Sequence, residues 1–282
     1  MYLEKIAVDY LKNVRIDRIF KKYFVSESSN KSVNIKGNSN EFLEHREYQY
    51  SDDLKNINWK LFARTSKLYT KVFSTDVSKD VFILLDISKS MVAGRSISKL
   101  EYAKYLVSVV AYKLCIEGYK VIFSTFSDAL YQTFSFGIKN FSRFDKFLSQ
   151  VKPYGKTNFS EVLKRLPAFV NSNSNLLIVS DFVFITSQEV SFIRRCFPKR
   201  DIIAFQILSQ EEIDFVEGSF VELVEPEENV KKLILVSESY KNYIDRISTF
   251  LERLYIATTS NKIPLITFNT SIPYYITLKK SI

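Results

Sequence analysis

Along the chain, apolar residues switch between helical spacing and continuous runs, and that switching outlines the fold. Leu3, Ile6, Ala7, Tyr10, Leu11 and Val14 recur at the spacing that lines up one helical face, so the first two dozen residues predict an amphipathic helix. Ser26 to Asn40, rich in Ser, Asn and Lys and containing Gly37, predicts a loop. Ser51-Asp52-Asp53 then offers side-chain oxygens to the free N–H groups of a first helical turn, ahead of a short helix through Trp59 and Phe62. Leu68 to Phe73 alternates as a strand does. Val81-Phe82-Ile83-Leu84-Leu85 is a continuous apolar run ending at Asp86, as expected of a strand buried on both faces of a parallel sheet.

Beyond Asp86 the pattern predicts a helix from Lys99 to Glu117, a strand from Val121 to Phe126, and helices near Phe141 to Gln150 and Phe159 to Val170. A strand at Leu176 to Ser180, a helix near Gln188 to Phe197 and a strand at Ile202 to Leu208 follow. Gly118 suits the left-handed position that ends many helices. The acidic segment Glu211 to Glu228 is expected to wrap the sheet edge, before a long helix from Glu238 to Ser260 and a last strand at Pro264 to Phe268. Strands alternating with helices argue for an α/β fold: a doubly wound, mostly parallel sheet flanked by helices. The expected division is 1–79, an N-terminal helix and added segment packed on the core, and 80–282, the α/β domain with its C-terminal helix and strand. No internal repeat is visible.

Composition narrows the function classes. With 46% hydrophobic and 25% charged residues, the chain has the material of a globular protein. The most apolar helical stretch, Leu106 to Ile116, is interrupted by Lys113, so no transmembrane segment is expected. Glu4, Lys5, Asp9, Lys12, Arg15, Asp17 and Arg18 interrupt the N-terminus where a signal peptide needs an uncharged core. Cys115 and Cys196 show no metal or redox spacing and read as free thiols of a cytoplasmic protein. The net charge of +9 comes from lysines spread over the whole chain, which favours a solvated surface over a nucleic-acid site. A basic module binding anionic lipid or nucleic acid is the alternative reading, and peripheral association with a membrane is compatible with both.

Three loops at strand ends carry candidate chemistry: Asp86-Ile87-Ser88-Lys89-Ser90 after the apolar run, Thr157 in Gly155-Lys156-Thr157-Asn158, and Asp181 after Leu177-Ile178-Val179-Ser180. Open α/β sheets collect ligands at the carboxyl ends of their strands. Asp86, Ser88, Ser90, Thr157 and Asp181 are all hard oxygen donors suited to Mg²⁺ or Mn²⁺. The competing reading makes Ser88 or Ser90 a helix N-cap.

Catalytic readings are weaker. A phosphohydrolase using Asp86 would want a second Asp two residues on, where Ser88 stands. The single histidine, His45, has no nucleophile elbow to serve, and no P-loop or Gly-rich dinucleotide fingerprint occurs. No enzymatic activity is expected.

Asp86-x-Ser88-x-Ser90, Thr157 and Asp181 together resemble the metal-ion-dependent adhesion site of von Willebrand factor A domains. Glu41-Phe42, Arg46-Glu47-Tyr48, Asp52-Asp53, Ile57-x-Trp59, Ala63-Arg64 and Ser180-Asp181-Phe182 resemble, in that order, the bacterial family known as domain of unknown function 58. Ser51 and Asn58 stand where that family usually has Gly and often has Asp. The resemblance implies a von Willebrand factor A-like fold and a non-catalytic, metal-dependent adaptor that uses an open metal position for an acidic side chain of a protein ligand. It also implies a MoxR-type AAA+ ATPase as partner in chaperone-like assembly. The residues Arg46, Glu47, Tyr48, Asp52, Asp53, Trp59 and Arg64 form a second patch. It reads either as an ion network clamping the N-terminal segment onto the sheet with Trp59 beneath it, or as a partner-docking surface.

Overall fold

The computed structural model describes residues 2–19, 42–50, 54–73, 80–170, 174–183, 185–198, 200–213, 220–225 and 230–282. The chain divides into two compact units: residues 28–79, and residues 1–27 together with 80–282. The first helical residues therefore go with the α/β core, not with the segment up to residue 79. The reason is packing, because Ala7, Leu11, Ile16 and Ile19 are each at most 1% exposed and belong to the main apolar core.

In the smaller unit, strands β1 (Phe42–Glu47) and β2 (Tyr69–Phe73) pair antiparallel, and a helix spans Trp59–Thr65. Asn58 caps that helix by accepting the Leu61 N–H at 3.2 Å, while its amide lies 2.5 Å from His45 Nε2. The cap predicted at Ser51-Asp52-Asp53 and the loop predicted at Ser26 to Asn40 lie outside the described residues.

The larger unit holds a six-stranded sheet built from β3 (Asp80–Asp86), β4 (Lys120–Phe126), β5 (Leu130–Phe136), β6 (Asn175–Ser180), β7 (Ile202–Leu208) and β10 (Leu265–Asn269). Their order is β10-β7-β6-β3-β4-β5, and β5 alone runs antiparallel to its neighbour. This is a Rossmann-like α/β arrangement. Strands β8 (Phe220–Glu225) and β9 (Val230–Leu235) form a separate antiparallel ribbon. The acidic segment expected to wrap the sheet edge thus becomes a short helix, Gln210–Ile213, and part of that ribbon.

Strand alternation sorts the core into two layers. Val81, Ile83 and Leu85 point to one face with the long helix Lys99–Ile116, while Phe82 and Leu84 point to the other with Val162, Val190 and Leu254. The long helix is buried nearly all round, because residues 2–19 and the helix Tyr274–Ser281 cover what the sheet does not. Its end is a Schellman motif: Gly118 adopts φ +84, its N–H reaches Cys115 at 3.2 Å, and the Tyr119 N–H reaches Leu114 at 2.9 Å.

Several expectations need correction. The N-terminal helix runs only from Lys5 to Tyr10. Its successor is started by a distant residue, since the Glu117 carboxylate accepts the N–H groups of Ile16 at 2.7 Å and Asp17 at 2.8 Å. Strand β5 and the helix Tyr274–Ser281 were not anticipated. Among the described residues no helix is long and apolar enough to cross a membrane.

Candidate functional site

Strand order reverses at β3, with β4 and β5 on one side and β6, β7 and β10 on the other, so the carboxyl ends of β3 and β6 border a crevice. Asp86 ends β3 and is fully buried. One of its oxygens accepts the Ser88 N–H at 2.8 Å, a local turn that carries the chain across the sheet end. Its other oxygen accepts the Ser180 hydroxyl at 2.6 Å, which ties the end of β6 to the end of β3.

Ser88 occupies the N-cap position of a short turn, Lys89–Val92, yet its side chain makes no cap bond. Its hydroxyl instead lies 2.9 Å from that of Ser90, and both residues are buried. The true cap of the following helix is Ser98, which accepts the Glu101 N–H at 3.2 Å. The N-cap reading of Ser88 and Ser90 therefore fails, and the two hydroxyls are left facing each other after the end of β3.

The Thr157 loop is pinned beside them by backbone bonds, Tyr154 N–H to the Ile87 carbonyl at 2.6 Å and Lys89 N–H to the Gly155 carbonyl at 3.1 Å. Asn158 caps the next helix by accepting the Glu161 N–H at 3.1 Å, so Thr157 is not needed for that task. The Thr157 hydroxyl is buried and has no hydrogen-bond partner among the described residues. Such orphaned hydroxyls are rare in native interiors and cost about 1–3 kcal/mol.

Gly155 makes this loop possible, with φ +72 and a would-be Cβ only 2.7 Å from the Ser127 hydroxyl. Gly155→Ala is expected to lower stability by about 1–3 kcal/mol, measured by urea denaturation. A change below about 0.5 kcal/mol would show that the loop can relax around a side chain.

Asp181 follows β6 and is 1% exposed. One carboxylate oxygen accepts the Val183 N–H at 3.2 Å, and the other accepts Lys99 Nζ at 2.7 Å. Between them Phe182 is forced to φ +58, unusual for a bulky residue, and is held there by its N–H to the Ser180 hydroxyl at 3.0 Å and by a stacked Phe159 ring. Lys99 also donates to Glu212 at 2.6 Å. Burial alone would pull the Lys99 ammonium down, but Asp181 and Glu212 outweigh it and hold the group above the ordinary lysine range. Asp86 has no cationic partner among the described residues, and burial, with the Asp181 charge beside it, pushes its carboxyl up to about 7.

The crevice thus gathers Asp86, Ser88 and Ser90 with Asp181 and the Thr157 loop. Among the described residues no three His, Cys, Asp or Glu side chains cluster as a metal centre. The donor set is two carboxylates and three hydroxyls, a composition that suits a hard divalent cation. An unsatisfied buried hydroxyl and an uncompensated buried carboxylate fit the same description. Ser180, Lys99 and Glu212 were missed as site residues, because no spacing in the sequence announces contacts made across the fold.

The second patch draws on β1 and the helix Trp59–Thr65, which meet where the Asn58 amide lies 2.5 Å from His45 Nε2. Arg46 and Glu47 lie on β1 with Tyr48 just after it, and Arg46 donates to Gln49 at 3.3 Å. Arg64 sits in the last turn of the helix Trp59–Thr65. Asp52 and Asp53 lie outside the described residues. Trp59 is 60% exposed and packs edge-on against Phe62, so it does not fill space beneath the patch. Trp59 opens its helix beside a cap, where its ring turns outward.

A family model described as "Protein of unknown function DUF58" matches residues 44–246. No curated protein matches the chain in sequence. Among solved structures, similarity extends to the conserved hypothetical protein BatB from Bacteroides thetaiotaomicron, with 15% identity over 72% of this chain and 96% of that one, at a TM-score of 0.46. An aerotolerance-related membrane protein from Bacteroides fragilis gives 14% identity, 72% and 98% coverage and a TM-score of 0.45. The SpRpn10 VWA domain gives 12% identity, 72% and 94% coverage and a TM-score of 0.42.

Proposed function

The chain belongs to the DUF58 family, and from the site it carries we propose that it is a non-catalytic adaptor whose crevice binds a divalent metal ion and, through it, an acidic side chain of a protein partner. Asp86, Ser88, Ser90, Thr157 and Asp181 would hold Mg²⁺ or Mn²⁺, and the bound ion would supply a concentrated positive charge for a partner carboxylate. What carries the reading is the buried Thr157 hydroxyl, without a partner among the described residues, in a loop fixed beside an Asp86 that no cation of the described residues neutralises. The protein's part is positional. The Ser180 hydroxyl and the Ser88 N–H orient the two Asp86 oxygens, and Gly155 lets the Thr157 loop approach.

The partner we propose is a MoxR-type AAA+ ATPase, with chaperone-like assembly or maturation of other complexes as the shared task. That choice rests on the family resemblance alone. Any nucleotide hydrolysis then belongs to the ATPase.

The test is calorimetric titration of Mg²⁺ and Mn²⁺ into wild-type and Asp86→Ala protein, followed by addition of a MoxR-type ATPase with and without EDTA. Wild-type binding that drops at least tenfold in the variant is the expected result, together with an association that chelator abolishes. Equal affinity of the two proteins would sink the metal site. Association that survives EDTA but falls steeply with salt would favour a basic surface contact instead.

A further inference from the structure

The oxygen that Asp181 would offer a metal ion, or a water bound to one, already holds an ammonium group. Lys99 Nζ lies 2.7 Å from Asp181 Oδ2, and its side chain is 1% exposed. The other Asp181 oxygen accepts the Val183 N–H. Nothing in the sequence marks Lys99 for this role, since it is the first residue of its helix, and lysines at helix ends are ordinarily solvated.

We infer that Lys99 is a tethered internal cation that competes with the divalent ion for Asp181 and so sets how tightly the site binds metal, with Glu212 as the carboxylate that shares it. The inference rests on the metal reading proposed above. A buried like charge repels an incoming cation with little solvent screening, so its presence lowers affinity.

Glu212 gives the ammonium a second place to rest. It accepts Lys99 at 2.6 Å on Oε1, and its Oε2 accepts the Ser209 N–H at 2.8 Å. Ser209 Oγ in turn accepts the Glu212 N–H at 3.3 Å, a reciprocal arrangement that fixes the turn Gln210–Ile213. The neighbouring Glu211 accepts the Arg95 N–H at 3.1 Å, which anchors the same turn to the loop leading into Lys99. When Asp181 turns to a metal-bound water, Lys99 keeps a full hydrogen-bonded partner in Glu212. Occupancy of the site is thereby linked to the charge balance at the Gln210–Ile213 turn.

The experiment is Mn²⁺ titration by calorimetry, with thermal melts in EDTA and in saturating Mn²⁺, on the full chain as wild type, Lys99→Met, Lys99→Arg and Glu212→Gln. Lys99→Met is expected to bind Mn²⁺ about tenfold or more tightly and to show a larger Mn²⁺-induced rise in Tm than wild type. Lys99→Arg keeps the charge and should stay near wild type. Glu212→Gln leaves the ammonium to Asp181 alone and should weaken binding severalfold. Wild-type binding with unchanged or weaker affinity in Lys99→Met overturns the role of Lys99 while leaving the metal site standing. Absence of Mn²⁺ binding in both wild type and Lys99→Met overturns this inference and the metal reading together. Should Lys99→Met fail to fold, Glu212→Gln decides, because its side chain is 24% exposed and its change is mild. Wild-type affinity in that variant overturns the inference.

Discussion

Lys99→Ala, measured in EDTA, is expected to lose about 3–5 kcal/mol of unfolding free energy, the usual cost of removing one partner from a buried ion pair. The loss comes chiefly from what remains. Asp181 stays 1% exposed with one oxygen deprived of its donor, and Glu212 loses its only described cation. Exposed ion pairs would give far less, as at Lys164 and Glu161, where both side chains are largely in water and solvent screens their attraction. Lys99→Met separates charge from packing, since it keeps a stem of similar length. A loss nearly as large as that of Lys99→Ala assigns the effect to charge. The double variant Lys99→Met/Asp181→Asn should then regain the larger part of it, because the buried carboxylate is gone. No regain in chemical denaturation would assign the effect to the lysine stem instead.

Lys99 also shows where sequence reading stops. The strand Asp80–Asp86 was legible because burial on both faces demands an unbroken apolar run, and the long helix was legible because Gly118 can take the left-handed turn that ends it. Asp86, Ser88 and Ser90 were legible as a group because they are close in sequence and follow a buried strand. Contacts that close over long separations leave no such trace. Glu212 lies 113 residues from Lys99, Ser180 lies 94 from Asp86, and Glu117 lies about a hundred from the Ile16 and Asp17 amides it caps. In each case an ordinary polar residue gains its role only when the sheet order brings it to a partner. The helix predicted over the first two dozen residues failed for this reason. Its apolar spacing is real, but the helix ends at Tyr10 with Leu11 as its C-cap, and the Glu117 carboxylate caps a separate turn that begins at Ile16.

Strand β5 was missed for a different reason, and the reason leads to a second large effect. As an edge strand it is half wet, with Gln132, Thr133 and Ser135 exposed among Leu130, Tyr131, Phe134 and Phe136, so no continuous apolar run or clean alternation announces it. What holds it is an aromatic cluster below the sheet rather than its own pattern. Phe144, fully buried in the helix Phe141–Gln150, stacks on Phe136 at 4.2 Å between ring centroids and meets Phe123, Phe134 and Phe141 at 5.1, 6.0 and 5.7 Å. Phe144→Ala removes the ring that all four share and is expected to cost about 3–5 kcal/mol, from lost burial and the cavity left behind. The aromatic geometry adds to that loss, because tilted and stacked pairs contribute beyond their area. Phe144→Leu refills most of the space and should cost less than half as much. The damage should also be local in native-state hydrogen exchange. Amides of β5, which pairs on one side only, should lose protection before those of β3 at the sheet centre. Equal loss of protection in β3 and β5 would mean that the cluster stabilises the whole sheet as one cooperative unit and that β5 has no special dependence on it.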